Sequence, residues 1–206
     1  MIRRLGLPFR NGRAFLADAG GLAAIELALI LPFAAMLMSL VVYGGQAYWV
    51  QRKVTLAATT VANIFAQANN VNTSTITAAE LTQILDYPTL ILYPYDASGV
   101  AVEVSQLLVT VNANGTATGT VCGSWANANG TARSTGQQLS VDPSIASAFS
   151  GSTTGSTCGA SNADYVVLGE VQYPFQPTGI YFAVGTMTLH DSIIMIPRVA
   201  SPITVQ

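Results

Sequence analysis

The feature that most constrains this chain is an uncharged apolar segment close to its N-terminus. No Asp, Glu, Lys or Arg occurs between Glu26 and Arg52, and residues 27–42 (LALILPFAAMLMSLVV) are apolar except for Ser39. An α-helix rises about 1.5 Å per residue, so about 20 such residues cross the hydrocarbon core of a bilayer. The sequence therefore predicts a transmembrane helix over residues 22–50.

A cleaved secretory signal peptide is the alternative interpretation of this segment. The apolar core of a signal peptide usually has about 7–15 residues and precedes a small-x-small cleavage site. Gly45-Gln46-Ala47 fits such a site, and cleavage there would release a soluble domain that begins at Tyr48. The apolar run is longer than a signal-peptide core, which favours the transmembrane helix.

The distribution of charge predicts the orientation of the helix. Only 9% of the residues are charged, against about 25% in a typical soluble domain. Basic residues beside a spanning helix stay in the cytoplasm, so residues 1–21 are interpreted as a basic cytoplasmic leader and the chain after Lys53 as exported. Beyond Lys53, two arginines stand against eight acidic residues, which argues against nucleic acid as a partner. The arginines of the leader are Arg3, Arg4, Arg10 and Arg13.

The helical pattern continues beyond the apolar segment. Tyr48 and Trp49, followed by Arg52 and Lys53, are typical of an anchor at the membrane interface. We expect residues 51–69 to extend the helix outside the membrane, giving a total length of about 70 Å. An apolar stripe on this extension then has to pack on another element. The stripe consists of Val54, Ala57, Ala58, Val61, Ala62 and Phe65.

Glu26 is the residue that a simple anchor does not explain. A carboxylate in the membrane costs roughly 2.5–3.5 kcal/mol on insertion scales, unless it only marks the interfacial end of the helix. Cleavage after Gly21 would make Leu22 a free N-terminus, with Glu26 at i+4 on the same helix face. The amine, mostly protonated at neutral pH, could then neutralise Glu26 in its own chain or in a neighbouring one.

The residues from Gly21 to Pro32 (GLAAIELALILP) resemble the opening of the TadE/TadG-like family of tight-adherence (Tad, or Flp) pilus proteins. The resemblance implies a minor pilin or pseudopilin in the bacterial inner membrane, with processing at Gly21 and Leu22 by a prepilin peptidase. It assigns assembly to Glu26 and Pro32. Because Gly20 and Gly21 are adjacent, the peptidase is expected to cut after either of them. The segments EVQYPFQP (residues 170–177) and MIPR (residues 195–198) also look like this family.

The family resemblance also implies partners and a final location. We expect membrane lipid, other pilus subunits and inner-membrane pilus assembly proteins as partners. The C-terminal domain is expected in the periplasm, or outside the cell if the protein enters the pilus. An uncleaved single-pass anchor, whose periplasmic domain is a scaffold for envelope proteins, is the competing function.

Residues 70–206 are expected to form an α+β domain. Thr77 and Glu80 form a capping-box pattern that opens a short helix ended by Tyr87-Pro88. Four strands follow, at residues 100–111, 116–125, 164–173 and 180–196, with a hairpin at Asn112–Gly115 and a bulge at Ser105-Gln106. The fold class is therefore a long N-terminal helix packed on a small antiparallel sheet of about four strands. Residues 123–161, which are rich in Gly, Ser, Thr and Asn, are expected to form a loop.

The two cysteines, Cys122 and Cys158, are expected to form one disulfide outside the cytoplasm, with two free thiols as the alternative. A metal site is not expected, because His190 is the only histidine and is distant from both cysteines in sequence. No nucleophile elbow, P-loop, dinucleotide fingerprint or CxxC motif occurs. The sequence thus predicts a protein that is not an enzyme and that has neither catalytic residues nor a cofactor.

Overall fold

The computed structural model describes residues 19–67, 75–112, 114–146, 157–160, 163–177, 185–197 and 202–206. The chain divides into two compact units, with the boundary between Gly45 and Gln46. The leader up to residue 18 lies outside the described residues. The helices are α1 (Ala19–Gln67), α2 (Ala78–Leu92) and α3 (Pro143–Ala146). The strands are β1 (Thr75–Ile76), β2 (Ala101–Val111), β3 (Ala117–Ala126), β4 (Gln138–Val141), β5 (Tyr165–Phe175), β6 (Met187–Met195) and β7 (Thr204–Val205).

The predicted α+β class is confirmed. Within the described residues, five antiparallel strands form one sheet in the order β4-β3-β2-β5-β6, and β1 pairs with β7 in parallel. The sheet has one strand more than the four predicted, because β4 lies inside the segment interpreted as a loop. The predicted strand at residues 180–196 begins at Met187 in the structure, and residues 180–184 are not described.

The second unit is built around the C-terminal part of α1. A small-residue stripe of this part faces the sheet, and the close fit is clearest at Gly169 of β5. A Cβ at Gly169 would lie 2.8 Å from the Ala62 Cβ and 3.1 Å from the Ala58 carbonyl oxygen. Helix and sheet therefore touch backbone to backbone, as the predicted stripe requires. The six predicted residues of the stripe are at most 1% exposed, and Val50, one turn before them, is buried as well.

Helix α2 begins as predicted and ends later than predicted. The Thr77 hydroxyl accepts a hydrogen bond from the Glu80 N–H, and the Glu80 carboxylate accepts one from the Thr77 N–H, which completes the capping box. The prediction that Tyr87-Pro88 ends the helix is wrong, because Pro88 lies inside α2 and the helix continues to Leu92. A proline removes one backbone hydrogen bond, and burial of Pro88 and Leu92 in the core offsets that loss.

A β-bulge lies where the hydrophobic alternation of β2 changes. Gln106 pairs with Gly123 and Leu107 pairs with Val121, so Cys122 of β3 is the extra residue. The register between β2 and β5 runs through this region without a shift. The bulge is confirmed, but its extra residue lies on β3. The alternation in β2 changes because the two faces of the sheet are covered at different places along the strand.

The two larger apolar clusters lie on opposite faces of the sheet. The helix face carries Val102 and Val104 of β2, which pack with α1. Toward the hairpin, the opposite face carries Leu107 and Val109, which pack in a second cluster with Val141 of β4. The segment between Gly123 and Ser161 is therefore partly regular structure rather than a loop. Its alternating Leu139 and Val141 supply the apolar side that lets a short strand pair with β3.

Candidate functional site

The N-terminal part of α1 is the first candidate site. Its apolar side chains are exposed all round, from Ile25 (67% exposed) to Val41 (74%), and no part of its most apolar 18-residue window is buried. One helix in the described chain is long and apolar enough to cross a membrane, and it lies near the N-terminus. A helix that is apolar on every side is typical of a membrane span. This segment is therefore compatible with a single-pass membrane anchor.

The predicted processing and assembly residues all lie in this part of α1. Gly21 and Leu22 are in its first turns, Glu26 follows one turn later, and Pro32 lies inside the helix. The Glu26 and Pro32 side chains are exposed, and none of the ion pairs among the described residues involves Glu26. A Cβ at Gly21 would meet nothing within 4 Å. Packing among the described residues therefore gives no reason for a glycine at residue 21.

The predicted interfacial anchor forms the start of the second unit. Tyr48 and Trp49 are 56% and 63% exposed, with their ring centroids 6.1 Å apart. The Arg52 guanidinium donates to the Tyr48 hydroxyl at 3.0 Å and lies 5.5 Å from the centre of the ring. Lys53 instead points into the domain, where its ammonium donates to the carbonyl oxygens of Ile91, at 3.2 Å, and of Tyr93. These bonds place a cation at the C-terminal end of α2, where the helix dipole favours it.

A second candidate site is a polar cluster on the face of the sheet opposite α1. Glu103 of β2 and Glu170 of β5 lie directly opposite each other, an arrangement that is unfavourable for two like charges. Arg133, from the connection between β3 and β4, offsets this repulsion. Its Nε lies 3.3 Å from Glu103 Oε1, and its Nη2 donates to Glu170 Oε2. The His190 Nε2 lies 3.6 Å from Glu170 Oε1.

Two hydroxyl groups, of the buried Ser105 and the half-buried Ser124, support this cluster. Ser105 and Ser124 have their Oγ atoms 3.1 Å and 3.0 Å from Glu103 Oε1, and the Arg133 N–H donates to Ser124 Oγ at 2.9 Å. A cleft of about 140 Å³ adjoins the two carboxylates and is otherwise lined by Ala101, Val102, Asn129, Gly130, Thr131 and Gln172. Both carboxylates are engaged by Arg133, so the chemistry that the arrangement supports is ion pairing. It ties the chain between β3 and β4 onto the sheet.

Sequence reasoning missed this cluster. Its three charged residues come from separate segments, and only strand register brings them together. The available signal was that Arg133 is one of two arginines in a domain with eight acidic residues. His190, predicted to be a strand residue with an exposed or hydrogen-bonded side chain, is exposed on β6 next to Glu170.

The disulfide and two hydrogen bonds to Asp96 complete the geometry of the domain. Cys122 and Cys158 form a disulfide with their Cα atoms 5.4 Å apart, as predicted. The Tyr173 hydroxyl donates to the Asp96 carbonyl oxygen at 3.0 Å. Burial raises the pKa of Tyr173, and the negative charge of Asp96 raises it further. The Ser98 N–H donates to the Asp96 carboxylate and lowers the pKa of that group.

Comparison with known proteins leaves the chain without an assigned family. No family model matches the chain, and neither a curated protein nor a solved structure matches it. The resemblance to TadE/TadG-like proteins therefore depends on the sequence motifs alone.

Proposed function

We propose that this protein is a structural subunit, of the minor pilin or pseudopilin type, in the assembly of a tight-adherence pilus. The observation that carries the proposal is the exposed apolar part of α1, whose only charged side chain before Arg52 is Glu26. A carboxylate there is costly for an anchor that contacts only lipid. It is useful to a helix that packs against the helices of other subunits, where a free α-amine can neutralise it.

The glycine at residue 21 supports processing of the leader. A helical glycine costs about 1 kcal/mol relative to alanine, and neither a positive φ nor a close contact with another described residue requires it here. A requirement from another molecule, such as a prepilin peptidase that cuts beside a glycine, explains it. The leader would then be cytoplasmic, and the domain after residue 50 would be in the periplasm or displayed on the pilus.

The N-terminus of the mature protein tests processing directly. We expect mass spectrometry or Edman sequencing of protein purified from membranes to show a chain that starts at Leu22, or at Gly21 if the cut follows Gly20. A Gly21→Ala variant that remains full length, beside a Gly45→Ala control that is processed normally, would link the cut to this glycine. An intact leader on the wild-type protein would rule out processing.

Substitution of Glu26 tests assembly. Because Glu26 is exposed and outside the described ion pairs, Glu26→Ala should leave the fold and membrane insertion intact. We expect it to abolish or strongly reduce recovery of the protein with other pilus subunits. Ser39→Ala is the matched control, because Ser39 is the other polar residue in this apolar region and its hydroxyl donates to the Ala35 carbonyl of its own helix. Normal assembly of both variants would contradict the proposal.

An uncleaved membrane anchor with a periplasmic scaffold domain is the second candidate. The observation that favours it is that α1 already includes Gly20 and Gly21, so a peptidase would have to unwind its first turn. This function predicts a full-length protein and tolerance of Glu26→Ala. The two experiments above therefore separate the candidates.

A further inference from the structure

We infer that the domain makes a second contact with the membrane, through exposed apolar side chains at the end of the domain where α1 enters it. The contact surface, here called the rim patch, consists of Leu90, Tyr93 and Met187. The rim patch contacts the interfacial layer of the bilayer that α1 spans. This inference depends on the proposed membrane location of the protein and adds that the domain is seated on the bilayer surface rather than held away from it.

The first observation is exposure. Leu90 and Tyr93, in the last turn and at the C-cap of α2, are 72% and 76% exposed, and Met187 at the start of β6 is 44% exposed. Single exposed apolar residues are ordinary on a soluble surface. Apolar residues gathered at one end of a domain, with an aromatic residue among them, are typical of a surface that meets a partner or a membrane.

The second observation is that the C-terminal end of α2 lies beside the part of α1 that is expected at the membrane interface. Side chains of an α-helix lean toward its N-terminus, so the Lys53 ammonium lies over the turn that precedes residue 53. This ammonium donates to the carbonyl oxygens of Ile91 and Tyr93. The end of α2 therefore lies at about the level of Trp49 and Arg52, the residues expected at the membrane interface.

The strand β6 places Met187 at the same end of the domain. The Gln51 amide donates to the His190 carbonyl oxygen at 3.2 Å, and the Thr55 hydroxyl bonds to the Asp191 carboxylate. Toward its N-terminal end, β6 therefore runs in the same direction as α1 toward its own N-terminus, because Asp191 contacts residue 55 and His190 contacts residue 51. Met187, three residues further along β6, lies beyond His190 in that direction. The rim patch therefore lies on two sides of α1.

The bilayer interface explains this combination better than a soluble partner. Tyr93 has an apolar ring with a polar tip, the chemistry that favours the headgroup layer. The Arg52 guanidinium, which bonds to Tyr48 of its own helix, matches the charge of anionic headgroups. A contact on both sides of α1 would fix the tilt of the domain on the bilayer, which presents the same surface of each subunit to its neighbours.

Spin-label accessibility in the full chain tests the inference. Single variants Leu90→Cys, Tyr93→Cys and Met187→Cys would carry a nitroxide, with the native cysteines held in their disulfide, in vesicles of phosphatidylethanolamine and phosphatidylglycerol. Matched controls are Gln83→Cys, exposed and earlier in α2, and Ile196→Cys, 54% exposed beyond the opposite end of β6. We expect the three rim labels to be several-fold less accessible than the controls to an aqueous nickel complex and more accessible to oxygen.

Other outcomes are equally informative. Equal nickel accessibility at the rim and control positions would overturn the inference. Protection from both reagents, with spin–spin broadening that increases with the protein-to-lipid ratio, would mean that a second copy covers the patch, which also overturns it. A label at Met36→Cys separates this result from failure of the proposed function, because an aqueous label there would contradict the membrane span itself. Adding Lys53→Met should raise nickel accessibility at residue 93 by freeing the end of α2.

Discussion

The two parts of helix α1 are both rich in apolar residues but have different surroundings. Residues 25–42 are almost entirely apolar, and every large hydrophobic side chain in this stretch is 49–74% exposed. Residues 50–66 also carry polar residues, and most of their apolar residues lie on one stripe that is at most 4% exposed against the sheet, whereas Leu56 lies off this stripe and is 57% exposed. The difference shows that apolarity alone does not identify a neighbour. Its distribution around the helix does, since an all-round pattern suits lipid or other helices and a one-sided pattern suits a sheet.

Two phenylalanines give the strongest test of this comparison. Phe65 is fully buried with its ring centroid 5.5 Å from that of Trp125, whereas Phe33 is 65% exposed. We expect Phe65→Ala to lower the free energy of unfolding of the domain by about 3–5 kcal/mol, because it opens a cavity in the core. Phe33→Ala should leave that free energy unchanged. Denaturant unfolding of the full chain in detergent micelles, followed by near-ultraviolet circular dichroism, measures both, and equal effects would break the comparison.

Two glycines test the closeness of packing on each part. A Cβ at Gly169 would press on the backbone of α1, whereas a Cβ at Gly45 would meet nothing within 4 Å. Gly169→Ala is expected to destabilise the domain by about 1–3 kcal/mol through overpacking. Gly45→Ala should leave the domain's unfolding midpoint unchanged or slightly raised, since alanine is the better helix former. A midpoint unaffected by Gly169→Ala would contradict the close approach of α1 to β5.

Adjacent cations on α1 give a smaller effect. Lys53 bonds to the end of α2, while among the described residues Arg52 donates within its own helix, to Tyr48. Lys53→Met should cost about 1 kcal/mol of domain stability, because two carbonyl groups lose a charged donor. Arg52→Met should change stability by no more than about 0.5 kcal/mol. The same unfolding curves measure both variants. A larger loss of stability for Arg52→Met than for Lys53→Met would contradict the conclusion that Lys53 stabilises the domain while Arg52 lies at the membrane interface.

The smallest expected effect is the dependence of domain stability on pH. The Thr77 N–H and hydroxyl lower the pKa of Glu80 below its ordinary value of 4.5. A carboxyl group whose pKa is lowered by folding stabilises the fold above its unfolded pKa, and that stability is lost as pH falls through the folded value. Stability should therefore decline below about pH 4.5, and Glu80→Gln should flatten that decline. Glu26→Gln is the control on the other part of the chain and should leave the acid dependence of the domain unchanged.

Local sequence patterns predicted most of the individual elements. The capping box at Thr77, the hairpin before Gly115 and the apolar stripe of α1 all involve residues close in sequence, so a short window contains the full signal. The continuation of α2 through Pro88 was not predictable in this way, because core contacts beyond the proline decide it. Strand β4 was hidden by a polar, glycine-rich composition and depends on pairing with β3.

The candidate sites divide in the same manner. Gly21, Leu22, Glu26 and Pro32 belong to one contiguous motif, which the sequence displays completely. Arg133, Glu103 and Glu170 are separated by 30 residues or more in the chain, and strand register alone brings them together. The rim patch likewise required the Lys53 and Gln51 contacts to show that Leu90, Tyr93 and Met187 lie at one end of the domain.

By itself, the sequence determined that the chain has an apolar helix long enough to span a membrane and a disulfide-linked strand-rich domain. Hydrophobicity and its periodicity are properties of neighbouring residues, so they can be recognised before folding. Only the tertiary structure decided which stripe of α1 is buried, which residue forms the bulge and which charges meet on the outer face of the sheet. These depend on register and on contacts between distant segments, whose free energy exists only when the whole domain is assembled.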